Sequence, residues 1–247
     1  MNILDLDLDF FQNDVYYDYD GNKQRLSDDD FWPWAERDVR SFLEKKCGLN
    51  KTNPIIGCCA KTHDQLFNVI VEKGFDNINL YHVDAHDDLH PSASGKKCFV
   101  CNIINLMSCP VEERITVIKD HMSEGNVVGM LLAYQKLNSV FFITDKSKRW
   151  HISTRTPMFH KDFNENGEML QIPTVKDGIV IDDFIRYPDL VKKVNWIEPE
   201  IPYHVEDYSS WQTPTSFDFV FFCQSPRFTS EASDALIPII KEYIKLE

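Results

Sequence analysis

Met1-Asn-Ile-Leu-Asp-Leu-Asp-Leu-Asp-Phe-Phe11 opens the chain, and its reading decides the fold. Residues 2–11 alternate Leu with Asp, the period of a β-strand, so Asp5, Asp7 and Asp9 share one face and Leu4, Leu6 and Leu8 the other. On an edge strand the acidic face would simply be solvated. Here the opposite face is all leucine and Phe10 and Phe11 follow directly, which makes this a central strand. Three carboxylates at the end of such a strand repel one another unless a cation neutralises them.

A second stretch, Leu80-Tyr-His-Val-Asp-Ala-His-Asp-Asp-Leu-His90, repeats the chemistry. Ile78 to Val83 is a strand, and Asp84, His86 and Asp88 follow at i, i+2 and i+4, projecting from one side of an extended end. His63 stands upstream, at the start of a helix. Hard oxygen donors mixed with imidazoles suit Mn²⁺ or a similar divalent ion better than a thiolate site would. One carboxylate from each strand can bridge two ions while the others cap them.

Working outward, the spacing predicts a helix from a Ser27 cap, or from nearer Asp30 because of Pro33, to Cys47, with Gly48 as its stop. Pro54 to Cys59 is a short buried strand. Thr62 caps a helix over His63 to Lys73, closed by Gly74. Helical patterns cover 111–122 and 127–137, and strands follow at Ser139 to Thr144, Gly178 to Ile181 and Phe217 to Phe222. Thr229 to Leu246 is the final helix, kinked at Pro238. Residues 159–176 and 195–216 are aromatic loops, a possible wall for a substrate. Strands alternating with helices mean an α/β protein with a mainly parallel sheet, in one domain over residues 1–247. In such sheets ligands bind outside the carboxyl ends of the strands, where both acidic clusters fall.

At 43% hydrophobic and 13% aromatic, 247 residues can bury a proper core. No apolar run is long enough to predict a membrane span, and the N-terminus has no basic region followed by an apolar one; the expected location is the cytoplasm. Seven cysteines, an odd number without an export signal, are expected to be reduced, and the Cys98/Cys101 pair lacks the partners of a zinc site. A net charge of -13 argues against nucleic acid as a partner and would attract a cationic one.

The motifs resemble those of the arginase/deacetylase superfamily. Asp84-Ala85-His86-Asp87-Asp88 matches the arginase Asp-Ala-His-x-Asp, and Asp5-Leu6-Asp7-Leu8-Asp9 is similar to its Ser-x-Asp-x-Asp. The order is permuted relative to ordinary arginases, in which the acidic strand follows the histidine motif. Together with Cys223-Gln-Ser-Pro-Arg-Phe-Thr229, this looks like the diverged branch containing the peptide arginases, which convert arginine side chains of ribosomally made precursor peptides to ornithine.

The resemblance implies a three-layer arginase-like fold and two Mn²⁺ ions. One ion would take His63, Asp84, Asp88 and Asp7; the other would take His86, Asp84, Asp7 and Asp9. Asp5 stands where arginases have serine, so an Asp5/Asp7 register remains open beside Asp7/Asp9. The implied activity is hydrolysis of arginine in a precursor peptide to ornithine and urea, with ions that make water nucleophilic near neutral pH. Asp88 or Asp9 could orient that water, and His90, with His204 behind it, could protonate the leaving amine. The arginase glutamate that holds the guanidinium has no counterpart in Phe222-Cys-Gln-Ser-Pro226, which leaves Asp182 or Asp183 for that job, with Asn102 as a further substrate contact. Two other functions fit the same residues: a hydrolase of a small cationic metabolite such as agmatine or an acyl polyamine, and a non-catalytic metal-stabilised peptide-binding protein.

Overall fold

Strand β1 (Asn2–Asp7) pairs on both sides, in parallel with β3 (Ile78–Val83) and with β9 (Phe219–Cys223). The Leu/Asp alternation is therefore that of a strand inside a sheet. The computed structural model describes residues 1–17, 24–90, 110–148, 160–164, 167–176 and 192–247. The remaining strands are β2 (Ile55–Ala60), β4 (Leu137–Thr144), β5 (Met169–Leu170), β6 (Thr174–Val175), β7 (Val194–Asn195), β8 (Ile201–Asp207) and β10 (Ile244–Leu246). Eight of them form one sheet in the order β10-β2-β9-β1-β3-β4-β8-β5, while β6 and β7 make a separate ribbon. Every pairing in the large sheet is parallel except β5 with β8.

Each face of the sheet carries its own apolar layer. On the Asp5 side, Ile3, Leu80, Val140, Phe142 and Phe221 pack against helix α2 (Gln65–Glu72), α3 (Val111–His121) and α4 (Val127–Ala133). On the other side, Leu4, Leu6, Tyr81, Val220 and Phe222 meet α1 (Glu36–Ser41) and α5 (Leu236–Lys241). The result is a mainly parallel α/β sheet flanked by helices on both faces. Among the described residues, no helix is long and apolar enough to cross a membrane. Cys47, Cys58, Cys59 and Cys223 are free thiols; Cys98, Cys101 and Cys109 lie outside the described residues.

Several boundaries differ from the sequence expectation: the helix expected over 127–137 ends at Ala133, and those expected from His63 and Thr229 begin at Gln65 and Leu236. Beyond Asp7 the chain leaves the strand for a 3₁₀ turn over Leu8–Phe11, because the Asp7 carboxylate accepts the Asp9 N–H at 3.0 Å and curls the backbone. The helix expected from Ser27 or Asp30 begins at Glu36 and finishes in a π-helical turn, Phe42–Lys46, before Gly48 at φ 67°. Its intended start is held elsewhere, since Trp34 N–H donates to Phe11 O and Trp32 N–H to Asn13 Oδ1. The C-terminal helix stops at Lys241, and Ile244–Leu246 pairs with β2 as the sheet's edge strand. Residues 201–207, expected within an aromatic loop, are strand β8. The Gly178 to Ile181 strand lies outside the described residues.

Candidate metal centre

The carboxyl ends of β1 and β3 and the turn before α2 converge on one buried cluster. Asp5 and Asp7 project from the same face of β1. His82 stands opposite Asp5 in the register and therefore shares that face. Asp84 continues beyond β3, Asp88 sits in the following turn at φ 50°, and the 3₁₀ turn swings Asp9 across to the Asp84–His86 loop. There Asp9 accepts from Ala85 N–H at 3.3 Å and lies 3.0 Å from His86 Nδ1. Thus Asp7, Asp9, His63, Asp84, His86 and Asp88, all singled out from sequence, are brought together. Asp5 and His82 join them.

His63 is the hub. Its Nε2–H donates to Asp5 Oδ1 and Oδ2, at 2.9 and 3.0 Å. Its Nδ1 faces three carboxylate oxygens at once: Asp7 Oδ2 at 3.2 Å, Asp84 Oδ2 at 3.1 Å and Asp88 Oδ2 at 2.9 Å. A ring nitrogen carries at most one proton and cannot satisfy three acceptors. Accordingly, Asp84 Oδ2 and Asp88 Oδ2 are buried without a properly formed hydrogen bond. A cation at that point would answer all four atoms. Asp84 also turns its second oxygen toward His86 Nδ1, 3.6 Å away. His63, Asp7 and Asp84 form one set of converging donors, and Asp9, Asp84 and His86 form another. These groups could hold metal ions, and Asp84 is common to both sets.

The three rings are fixed differently. His86 Nε2–H donates to Tyr16 O at 2.9 Å, as His63 Nε2–H does to Asp5, so each ring turns its Nδ1 inward. Such outer hydrogen bonds set the tautomer of a ligating histidine. In His82 both nitrogens face acceptors, Asp5 Oδ2 at 2.7 Å and the His86 carbonyl at 3.0 Å. A carbonyl can only accept, so Nε2–H donates there, and the Asp84 and Asp5 carboxylates favour a second proton on Nδ1. His82 also stands in two further sets of converging donors, with Asp5 and His63 and with Asp84 and Asp88.

The electrostatics describe a cluster with too much negative charge. Five buried carboxylates face three imidazoles, so with all five ionised even full protonation of the rings leaves it anionic. Burial pushes Asp9 well above the usual carboxylate range, helped by Asp7 and Asp84. Burial likewise raises Asp88 to about 6, despite His63. Asp84 is held well below the usual range because His82, His63 and His86 outweigh its burial, and His63 and His82 do the same for Asp5. Burial disfavours charged rings, yet Asp84 and Asp5 carry His82 to about 9, while Asp5 and Asp88 carry His63 well above the ordinary histidine value.

The Cys223–Thr229 loop forms one wall. Ser225, buried at φ 40°, donates from Oγ to Asp7 Oδ2, and Phe228 packs its ring against His86 at 5.3 Å. Tyr17 meets the same imidazole edge-on at 5.4 Å, with Tyr16 and Phe31 beside it. His90 is anchored through its backbone N–H to Gly125 O at 2.9 Å. His204 is excluded from the cluster. It pairs with Phe141, Phe141 with Tyr81, and Tyr81 with Leu4, so it belongs to the leucine face and stacks on Phe141 at 4.9 Å. Asn102, Asp182 and Asp183 lie outside the described residues.

Sequence reasoning missed His82, although its spacing of two from Asp84 placed it on the same side of the strand. Ser225 lay inside the Cys223–Thr229 stretch that carried part of the resemblance, with no role assigned to it; Glu124, a largely buried acid that feels the charge of Asp7 and Asp88, had no local signal. Compared with models of known protein families, with curated proteins and with solved structures, the chain matches none.

Proposed function

We propose that this chain is a binuclear metallohydrolase that cleaves the guanidinium of arginine side chains in a peptide, leaving ornithine and releasing urea. The observation that carries the reading is His63 Nδ1 confronting Asp7, Asp84 and Asp88 while Asp84 reaches His86 with its other oxygen. His63, Asp7, Asp84 and Asp88 would hold one ion; His86, Asp9 and Asp84, with Asp7 between the two sets, would hold the other. Asp5 is then a partner of His63 rather than a ligand. Two divalent ions there, Mn²⁺ in the family it resembles, would make water a nucleophile near neutral pH.

The chain's own residues do the rest. Asp5 and Tyr16 O keep the ligand rings in the tautomer that presents Nδ1, and His82 offsets part of the carboxylate charge. Asp88 orients the attacking water, and His90, next along the loop, delivers the proton to the leaving amine. The aromatic rim of Tyr16, Tyr17, Phe31 and Phe228 gives a peptide apolar surface beside the cluster, and the charge of -13 favours a cationic substrate. On this reading the chain is a peptide arginase of ribosomal peptide maturation with a three-layer arginase-like fold, which the mainly parallel sheet with helices on both faces supports.

The test is mass spectrometry of arginine peptides incubated with Mn²⁺-loaded protein, with Asp84→Ala as control. Because the reaction adds water and loses urea, each converted arginine should lighten the peptide by about 42 Da, and the control should not, since the nucleophile depends on the ions. Urea from agmatine or free arginine alone would redirect the reading to a small-molecule hydrolase. No product from any guanidine would remove the catalytic reading.

A further inference from the structure

Glu124 is an acid outside the cluster whose turn is tied to the cluster's own loop. It opens a 3₁₀ turn, Glu124–Asn126, clamped by a reciprocal cap in which Ser123 N–H donates to Asn126 Oδ1 at 2.8 Å. Two backbone bonds tie this region to the metal loop: His90 N–H to Gly125 O at 2.9 Å, and Gly129 N–H to Asp88 O at 3.3 Å. The Glu124 side chain is only 16% exposed, and its Oε2 is buried without a hydrogen-bond partner. Its Oε1 has Arg227 Nη1 at 3.7 Å, beyond hydrogen-bond length. Arg227 itself leans over the Phe228 ring that packs on His86. Burial pushes the Glu124 carboxyl up to about 7 against the pull of Arg227, and Asp7, Asp64 and Asp88 push the same way.

A largely buried carboxylate tied to the loop of the Asp/His cluster, with one oxygen unpartnered and the other loosely faced by a guanidinium, is half of a bidentate grip. A guanidinium presents two parallel N–H donors matched to such a carboxylate. We propose that Glu124 takes the guanidinium of the incoming arginine side chain, displacing the loose hold of Arg227, and so selects cationic over neutral side chains. This rests on the reading of the cluster as a guanidine hydrolase, and gives Glu124 the task that sequence alone assigned to Asp182 or Asp183. Glu124 is a substrate contact and not a metal ligand. Its removal therefore changes recognition and leaves the ions in place.

The experiment compares Glu124→Gln and Glu124→Asp with the wild type, in metal content, in kinetics on an arginine peptide, and in equilibrium binding. Binding is read by fluorescence anisotropy in the Asp84→Ala background, with one labelled peptide carrying arginine and a twin carrying citrulline, its neutral analogue. E124Q should keep the metal content of the wild type and raise KM at least about tenfold with a smaller change in kcat, the pattern of lost uniform binding. E124D should recover part of the loss. In the Asp84→Ala background the arginine peptide should bind more tightly than its twin, and adding E124Q should erase that preference. A preference that survives E124Q, a wild-type KM, or loss of metal from E124Q overturns this assignment while leaving guanidine hydrolysis standing. Equal binding of both peptides in the Asp84→Ala background, with no turnover by the wild type, removes the guanidine reading and this assignment together.

Discussion

Asp5 sets both carboxylate oxygens against His63 Nε2, at 2.9 and 3.0 Å, and so decides which nitrogen of that ring faces the other carboxylates. Asp5 is itself fully buried and also accepts from His82 Nδ1 at 2.7 Å. One acid thereby orients the ring that meets Asp7, Asp84 and Asp88, and anchors the imidazolium that offsets their charge.

Asp5→Asn keeps the shape of this link and removes its charge. The weaker partner should cost roughly 10–100-fold in metal affinity, as loss of an outer-sphere carboxylate commonly does. Competition with a chromophoric chelator measures it. An unchanged affinity would mean that Asp5 does not position His63.

Ser225→Ala tests the wall of the site. Its Oγ donates to Asp7 Oδ2, one of the three oxygens facing His63 Nδ1. Alanine suits a φ of 40° no better than serine does, so the change should act through the lost hydrogen bond, worth about 1.5–3 kcal/mol to a charged acceptor. Metal affinity should fall by roughly tenfold or more, with helix and strand content by circular dichroism as in the wild type. Full retention of affinity would show that Asp7 is held by other means.

Stability without metal should decline as pH rises. Asp88 is raised from 3.8 to about 6 and His82 from 6.5 to about 9. A group whose folded pKa is raised stabilises most below its unfolded value and loses that contribution as pH climbs through the folded one. Asp9, His63 and His86 are shifted the same way. Asp5 and Asp84 are lowered, and their contributions are already in place above about pH 4. Chelator-treated protein should therefore lose at least about 5 °C of melting temperature between about pH 5 and pH 9, at about 2–4 °C per kcal/mol for a chain of this size. Bound divalent ions replace the protons, so the metal-loaded protein should not follow that slope. Parallel slopes with and without metal would contradict the account.

The sequence made the site more legible than the fold's margins. Period-two alternation in 2–7 and the strand Ile78–Val83 are local signals, and a register between two parallel strands carried Asp5, Asp7, His82 and Asp84 to one face. The six proposed ligands were readable because their spacing lies within one strand end or turn. Strand β8 was hidden because Pro202, His204, Glu206 and Asp207 break up its apolar run, and its place depends on pairing with β4. The segment Ile244–Leu246 continues a helical pattern in sequence but gains its hydrogen bonds from β2. Ser225 and Glu124 stand far along the chain from the residues they serve, and only folding reveals what they approach.

The account rests on two ions sharing Asp84. Native mass spectrometry of the chain after Mn²⁺ loading and buffer exchange measures this directly, beside Asp84→Ala and His82→Gln. The prediction is two ions per chain in the wild type, loss of both in Asp84→Ala, and two retained under loading conditions in His82→Gln, whose nitrogens are already taken by Asp5 and the His86 carbonyl. A wild-type chain that carries one ion or none, or an Asp84→Ala chain that still carries two, would contradict it.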